Sequence, residues 1–189
     1  MSKAIGMIAN NPEVNEGALT AESMAKMEEF VNTCDGLNIP VVTLVNTKGY
    51  AFKPENAKAV IDGAVSLNAV YKSAAVPKVT VIAGKAYGSA YLTMGSGALG
   101  SDVAFALPGA EISVINPAGG ADIFFADTIK GAKDPYIGRQ KAEEKFKEVY
   151  NNPYVAAAKG LVDDVIDPAE LRPILATTLD MLASKMDME

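Results

Sequence analysis

The sequence predicts a single α/β domain spanning residues 1–189, and three observations carry that prediction. Residues 39–45 and 76–82 are β-branched and almost wholly apolar, the composition of strands covered on both faces. Each runs into a turn that holds glycine and then into a helical pattern, so one strand–turn–helix unit is followed by a second of similar make-up. Hydrophobic residues form 49% of the 189 against 21% charged, and no low-complexity stretch or linker interrupts them, which leaves apolar surface for one enclosed core.

Residues 4–9 are a short apolar run closed by Asn10-Asn11-Pro12, which reads as a buried strand ending in a turn. From Thr20, a suitable N-cap, Met24, Met27, Phe30, Val31 and Cys34 recur at helical spacing, and Gly36 offers a stop. The first of the paired strands, residues 39–45, ends at Lys48-Gly49-Tyr50 and is followed by a helix over residues 54–75. The second, residues 76–82, ends at Gly84-Lys85-Ala86-Tyr87-Gly88-Ser89-Ala90 and enters a short helix. Residues 102–106 and 112–115 read as further strands separated by Pro108-Gly109, and helices are expected over 120–129, 140–150, 154–159 and 168–186.

Composition excludes whole classes of chemistry. There is no histidine, which removes Ser-His-Asp and Cys-His nucleophile pairs and histidine-based zinc sites. Cys34 is the single cysteine, so disulfides within the chain and thiolate cages are out, and its place in an amphipathic stretch makes it a core residue. The net charge of -6, with no cluster of Lys or Arg, lacks the footprint that nucleic acid demands. No apolar run is long enough to span a membrane and no secretory leader is visible, so a cytoplasmic protein is expected.

Gly95-Ser96-Gly97-Ala98-Leu99-Gly100 matches the dinucleotide spacing G-x-G-x-x-G, but a helical piece precedes it and a strand follows, the reverse of what the fingerprint needs. These glycines are expected to end a helix and turn the chain. Gly84-Lys85 lacks the remaining residues of a phosphate loop. Glu28-Glu29, Glu143-Glu144 and Asp163-Asp164 read as solvated faces; Glu111 and Asp122 border Asn116-Pro117 and stand out more, yet no metal site is assigned.

The two glycine turns are the more informative feature. A strand that turns straight into a helix leaves backbone N–H groups unpaired at the dipole end that favours negative charge. If the strands are parallel neighbours, Gly49-Tyr50 and Ser89-Ala90 come together and could form an oxyanion hole, although two ordinary βα turns account for the same residues.

Several stretches then resemble a known family, the carboxyltransferase subunits of biotin-dependent propionyl-CoA carboxylase, methylmalonyl-CoA decarboxylase, glutaconyl-CoA decarboxylase and transcarboxylase. They are Gly6-Met7-Ile8-Ala9-Asn10-Asn11-Pro12, Cys34-Asp35-Gly36-Leu37-Asn38-Ile39-Pro40, Val76-Pro77-Lys78-Val79-Thr80-Val81-Ile82 and Gly84-Lys85-Ala86-Tyr87-Gly88-Ser89-Ala90-Tyr91, continued by Ala110-Glu111-Ile112-Ser113-Val114, Asn152-Pro153-Tyr154 and Gly160-Leu161-Val162-Asp163-Asp164. They follow the family's order along nearly the whole chain. The resemblance is to the C-terminal, biotin-side half of a two-domain subunit, and it implies a crotonase-like (ClpP/crotonase) ββα spiral.

It further implies that backbone amides of Ser89 and Ala90 act as the catalytic oxyanion hole, stabilising the biotin enolate while a carboxyl group passes between carboxybiotin and an acyl-CoA. Gly49, Tyr50 and Gly88 would contact the cofactor, with Gly49-Tyr50 matching the family's glycine-phenylalanine turn and Ser89-Ala90 its glycine-alanine turn. Biotin's own nitrogen could then take the substrate proton, in keeping with the absence of histidine. The chain departs from the family at Lys48, where proline is usual, at Ser89, where glycine is usual, and in the short Ala51-Phe52-Lys53-Pro54 loop, which puts biotin access in doubt.

By the same resemblance the acyl-CoA is bound mainly by a separate N-terminal half, biotin arrives on a biotin carboxyl carrier protein, and homo- or hetero-oligomers form, an expectation that the apolar Met24, Met27 and Phe30 also support. The alternatives are a non-catalytic assembly or interaction subunit of such a complex and, less favoured, a stand-alone crotonase-like hydrolase or isomerase.

Overall fold

A computed structural model describes residues 4–187, and among them six parallel strands form one sheet. These are β1 (Gly6–Ala9), β2 (Val41–Thr47), β3 (Lys78–Tyr87), β4 (Val103–Ala106), β5 (Glu111–Ser113) and β6 (Asp164–Val165). The order is β1-β2-β3-β4-β6, and β5 pairs with β3 beyond the end of β4. The two similar apolar segments are direct neighbours, with Val41 opposite Lys78 and Val45 opposite Ile82.

At ten residues β3 is long enough to carry β4 on its first half and β5 on its second. Between the two, its register with β2 slips: Val45 faces Ile82 but Thr47 faces Ala86. Asn46 fills the slip, its Oδ1 accepting the Lys85 amide at 3.0 Å, while its own amide donates to Asn10 Oδ1 at 2.9 Å. Gly84–Tyr87, expected to be part of a turn, is therefore strand, and the turn itself begins at Gly88.

Among the described residues eight α-helices accompany the sheet: α1 (Ala21–Gly36), α2 (Ala57–Ser73), α3 (Gly88–Thr93), α4 (Pro117–Phe124), α5 (Ala126–Lys130), α6 (Pro135–Tyr150), α7 (Pro153–Ala158) and α8 (Leu171–Met181). Thr20 caps α1 in a reciprocal box with Ser23. The helix ends on Gly36, as expected, with Leu37 as its C-cap and Asn38 just beyond at φ +53°. The pairs Asn116-Pro117, Asp134-Pro135 and Asn152-Pro153 start α4, α6 and α7, with the Asx side chain accepting first-turn amides and proline costing no intrahelical bond. All three starts lie ahead of the expected ones, α7 by a single residue, because the apolar period sets in only after the cap.

Residues on one face of the sheet, Val41, Val45 and Ile82 among them, join Met24, Val31, Leu67 and Tyr71 of α1 and α2 in the main core. The other face, with Val42, Val79, Val81 and Phe105, is covered by Ile166 and Leu179. β1 is an edge strand rather than a buried one, and Met7 is 54% exposed. Met24 and Met27 lie inside the core instead of on a patch, and the exposed apolar residues include Ile123, Phe124, Tyr136 and Ile137 on α4 and α6. Cys34 is buried, and that burial pushes its thiol up. No helix among the described residues is long and apolar enough to cross a membrane.

Candidate active site

The parallel pairing of β2 and β3 delivers both glycine turns to the same end of the sheet, the carboxyl end where open α/β sheets take their ligands. In the first turn Thr47 Oγ1 accepts the Gly49 amide at 3.2 Å and donates to the Gly49 carbonyl at 3.1 Å. That carbonyl also accepts the Leu19 amide at 2.9 Å, and Ala51 donates to the Leu19 carbonyl at 2.8 Å. The Gly49 amide is thereby spent, and the Tyr50 amide between these bonds finds no partner among the described residues. Gly49 and Tyr50 were expected to contribute alike; the tertiary structure separates them.

The second turn is made by Gly88 at φ +62°, a conformation that a side chain would strain. It opens α3, which no side chain caps. Ser89 is exposed and Ala90 is 1% exposed, packed in the main core, so the helix is fixed from below while its first-turn amides lack intrahelical acceptors. The two turns touch through a side chain: Tyr50 Oη lies 2.6 Å from Thr93 Oγ1 and 3.3 Å from the Ser89 carbonyl.

Two ionic groups flank the turns. Glu16 bridges Lys48 at 2.6 Å and Lys85 at 3.2 Å, and those lysines hold its carboxyl below the ordinary range. It does so from a strained stretch in which Asn15 and Glu16 have φ +50° and +53°. On the strand leading into Gly88, Tyr87 donates to Glu111 Oε2, and Lys147 meets Glu111 Oε1 at 2.8 Å. Burial and the Glu111 carboxylate raise the Tyr87 phenol; burial would raise Glu111 too, but its bonds to Lys147 and Tyr87 prevail and lower it.

Thr47, Thr93 and Glu16 escaped the sequence reading, since Glu16 and its partners stand 32 and 69 residues apart. The glycines at 95–100 do not follow a strand; Gly95 and Gly100 pack closely on Tyr71, and Gly97 starts a single 3-10 turn over Gly97–Leu99. Among the acidic pairs, Glu28 accepts from Ser66 and Asp163 accepts the Ala104 amide, so neither is merely a solvated charge. A groove of about 700 Å³ runs between β1, residues 10–20 and α1, and none of Gly49, Tyr50, Gly88, Ser89 or Ala90 lines it.

A family model described as the carboxyl transferase domain matches residues 2–188. The chain is 44% identical over 185 residues to the methylmalonyl-CoA carboxyltransferase 12S subunit of Propionibacterium freudenreichii subsp. shermanii, covering 97% of this chain and 35% of that protein. It is 43% identical over 187 residues to the methylmalonyl-CoA decarboxylase subunit alpha of Propionigenium modestum, covering 98% and 36%. Among solved structures, the transcarboxylase 12S subunit with methylmalonyl-coenzyme A and methylmalonic acid bound matches with a TM-score of 0.86 at 42% identity over 95% of this chain and 35% of that one. The geranyl-CoA carboxylase beta subunit of P. aeruginosa matches at 0.81 and 25% identity, over 97% and 35%. The chain thus spans about a third of the length of these relatives.

Proposed function

The chain belongs to the carboxyl transferase domain family and has its crotonase-like fold, and from that premise we propose that it supplies the biotin-side half of an acyl-CoA carboxyltransferase or decarboxylase. The observation that carries the proposal is the joining of two turns at one sheet end, with the open Tyr50 amide on one and the uncapped first turn of α3 on the other.

Those donors fit a small planar carbonyl such as the ureido group of biotin, and a Cβ built on Gly49 meets nothing within 4 Å, so the approach to the first turn is open. Biotin, when bound, would supply the carboxyl group and a ureido oxygen able to take up negative charge. The amides of Tyr50, Ser89 and Ala90 would hold that oxygen and stabilise its charge, with little reorganisation because the backbone already fixes them in place. Relatives named for methylmalonyl-CoA and propionyl-CoA point to an acyl-CoA substrate. A separate N-terminal half would bind most of that substrate, a biotin carboxyl carrier protein would deliver the cofactor, and the exposed apolar residues of α4 and α6 would seat another subunit.

The test is reconstitution. Chain alone should turn over no acyl-CoA, whereas chain mixed with a matching N-terminal half and a carboxylated biotin carrier should transfer carboxyl groups, with light scattering showing a larger assembly. Turnover by the chain alone at the rate of whole-family enzymes would sink the proposal. An assembly that forms but transfers nothing would leave it a non-catalytic assembly subunit.

A further inference from the structure

We propose that Tyr50 and Thr93 are positioning residues that couple the two turns, with the Tyr50 hydroxyl aiming the Ala90 amide. The inference deepens the function proposed above and rests on it for the chemistry, but the coupling itself is a matter of bonded geometry.

Thr93 is 1% exposed, and the partner of its hydroxyl is Tyr50 Oη at 2.6 Å. A buried hydroxyl left alone is costly, so this bond ties the end of α3 to the turn after β2. Tyr50 Oη is also 3.3 Å from the Ser89 carbonyl, and one proton arrangement serves all three groups: Thr93 donates to Tyr50, and Tyr50 donates to Ser89. The ring is steadied edge-on by Phe52, with centroids 5.5 Å apart.

The Ser89 carbonyl and the Ala90 N–H belong to one planar trans peptide and point in opposite directions. A bond that fixes the carbonyl therefore fixes the direction of the amide. Tyr50 contributes twice: its own amide is the open donor of the first turn, and its hydroxyl orients the donor of the second. Preorganised separation of the two donors is what an oxyanion site requires, since donors that must move into place lose part of their effect.

The experiment is amide hydrogen exchange read by NMR on the chain without ligand, so its result does not depend on turnover. The reporters are Leu19 and Ala51, whose amides bond across the first turn to the Gly49 and Leu19 carbonyls. Thr93→Val keeps the shape of the side chain and removes the hydroxyl on α3; it should speed exchange at Leu19 and Ala51, in the other turn, by roughly 3- to 10-fold. Tyr50→Phe, which keeps the ring, should do the same, and the double variant should add little to either. Thr93→Ser should restore the parental rates, while Val81 in the sheet stays constant throughout. Acceleration confined to α3 in Thr93→Val, or a Thr93→Ser chain that behaves like Thr93→Val, would overturn the coupling. In the reconstituted assembly both hydroxyl deletions should lower kcat and leave KM for acyl-CoA unchanged; a parental chain that transfers nothing would defeat the proposed function while the exchange result stood.

Discussion

At the amino ends of the strands, side chains close the backbone; at the carboxyl ends of β2 and β3 they leave it open. Asp35 Oδ1 accepts the Ala75 and Val76 amides at 2.7 and 3.1 Å just before β3, Asp102 Oδ2 accepts the Lys78 amide at 2.8 Å, and Asp163 Oδ2 accepts the Ala104 amide at 2.7 Å. Lys185 clasps Asp102 at 2.8 and 3.0 Å, and the buried Lys78 ammonium donates to the Ala74 and Val76 carbonyls. No such carboxylate answers the Tyr50 amide or caps α3, and the turns there are made by Gly49 at φ +137° and Gly88 at φ +62°. One end of the sheet converts carboxylates into stability. The other leaves donors unpaired, as the ligand site proposed above requires, and meets the cost of the open turns from packing elsewhere.

The sharpest way to break this contrast is to remove a donor at the open end. Ser89→Pro deletes an exposed first-turn amide and should lower carboxyl transfer by roughly a hundred- to a thousandfold, about 2.7–4 kcal/mol, with the helix content retained in circular dichroism. Ala90→Pro deletes the neighbouring donor with a comparable loss, but its ring must fit where Ala90 is 1% exposed, so some stability goes too. Ala90→Gly, which keeps the amide, serves as the control. Near-parental transfer by a folded Ser89→Pro and Ala90→Pro would remove these amides from the site.

The closed end should respond in the opposite currency. Asp35→Ala leaves two amides unanswered and is expected to cost about 2–3 kcal/mol in urea unfolding while the transfer rate per folded chain stays the same. A fall in rate without a fall in stability would erase the distinction between the two ends.

The smallest effect is one of pH, again at the closed end. Lys78 is 3% exposed, and burial lowers its pKa from the ordinary 10.5 to about 8. Below pH 8 both states hold the proton and the folded state bears the cost of a buried charge. Above it the folded chain releases the proton while the unfolded chain still holds it, so stability rises between pH 8 and about 10, by on the order of 1 kcal/mol. Beyond pH 10 the sign reverses, because burial pushes the Tyr71 phenol up to about 12 and the unfolded chain loses that proton first. Urea unfolding across pH 7.5 to 10 measures the slope, which Lys78→Met should flatten; a slope that persists in that variant assigns the effect elsewhere.

Much of this was legible in the residues. The apolar segments 39–45 and 76–82 announced two covered strands, Thr20 announced the start of α1, and the absence of histidine directed attention to backbone donors. These readings work because burial on both faces, capping and turn chemistry leave their marks within a few residues of one another. The Asx-Pro starts of α4 and α6 were legible too, but the apolar period drew the helices later than their caps.

What the sequence by itself determined, then, is the α/β class, the two paired strands, the two glycine turns and the exclusion of histidine chemistry. Only the tertiary structure decided that Gly84–Tyr87 continues a strand, because the residues that satisfy it are Asn46, a strand away, and Glu111–Ser113, beyond the next two turns. It also decided that Thr47 consumes the Gly49 amide and leaves Tyr50 open, that Tyr50 reaches Thr93 across 43 residues, and that Glu16 spans Lys48 and Lys85. Each of these rests on hydrogen bonds whose partners are brought together by the register of β2 on β3 and by the packing of α3, and a backbone group spent or spared by such contacts carries no mark in its own neighbourhood of the chain.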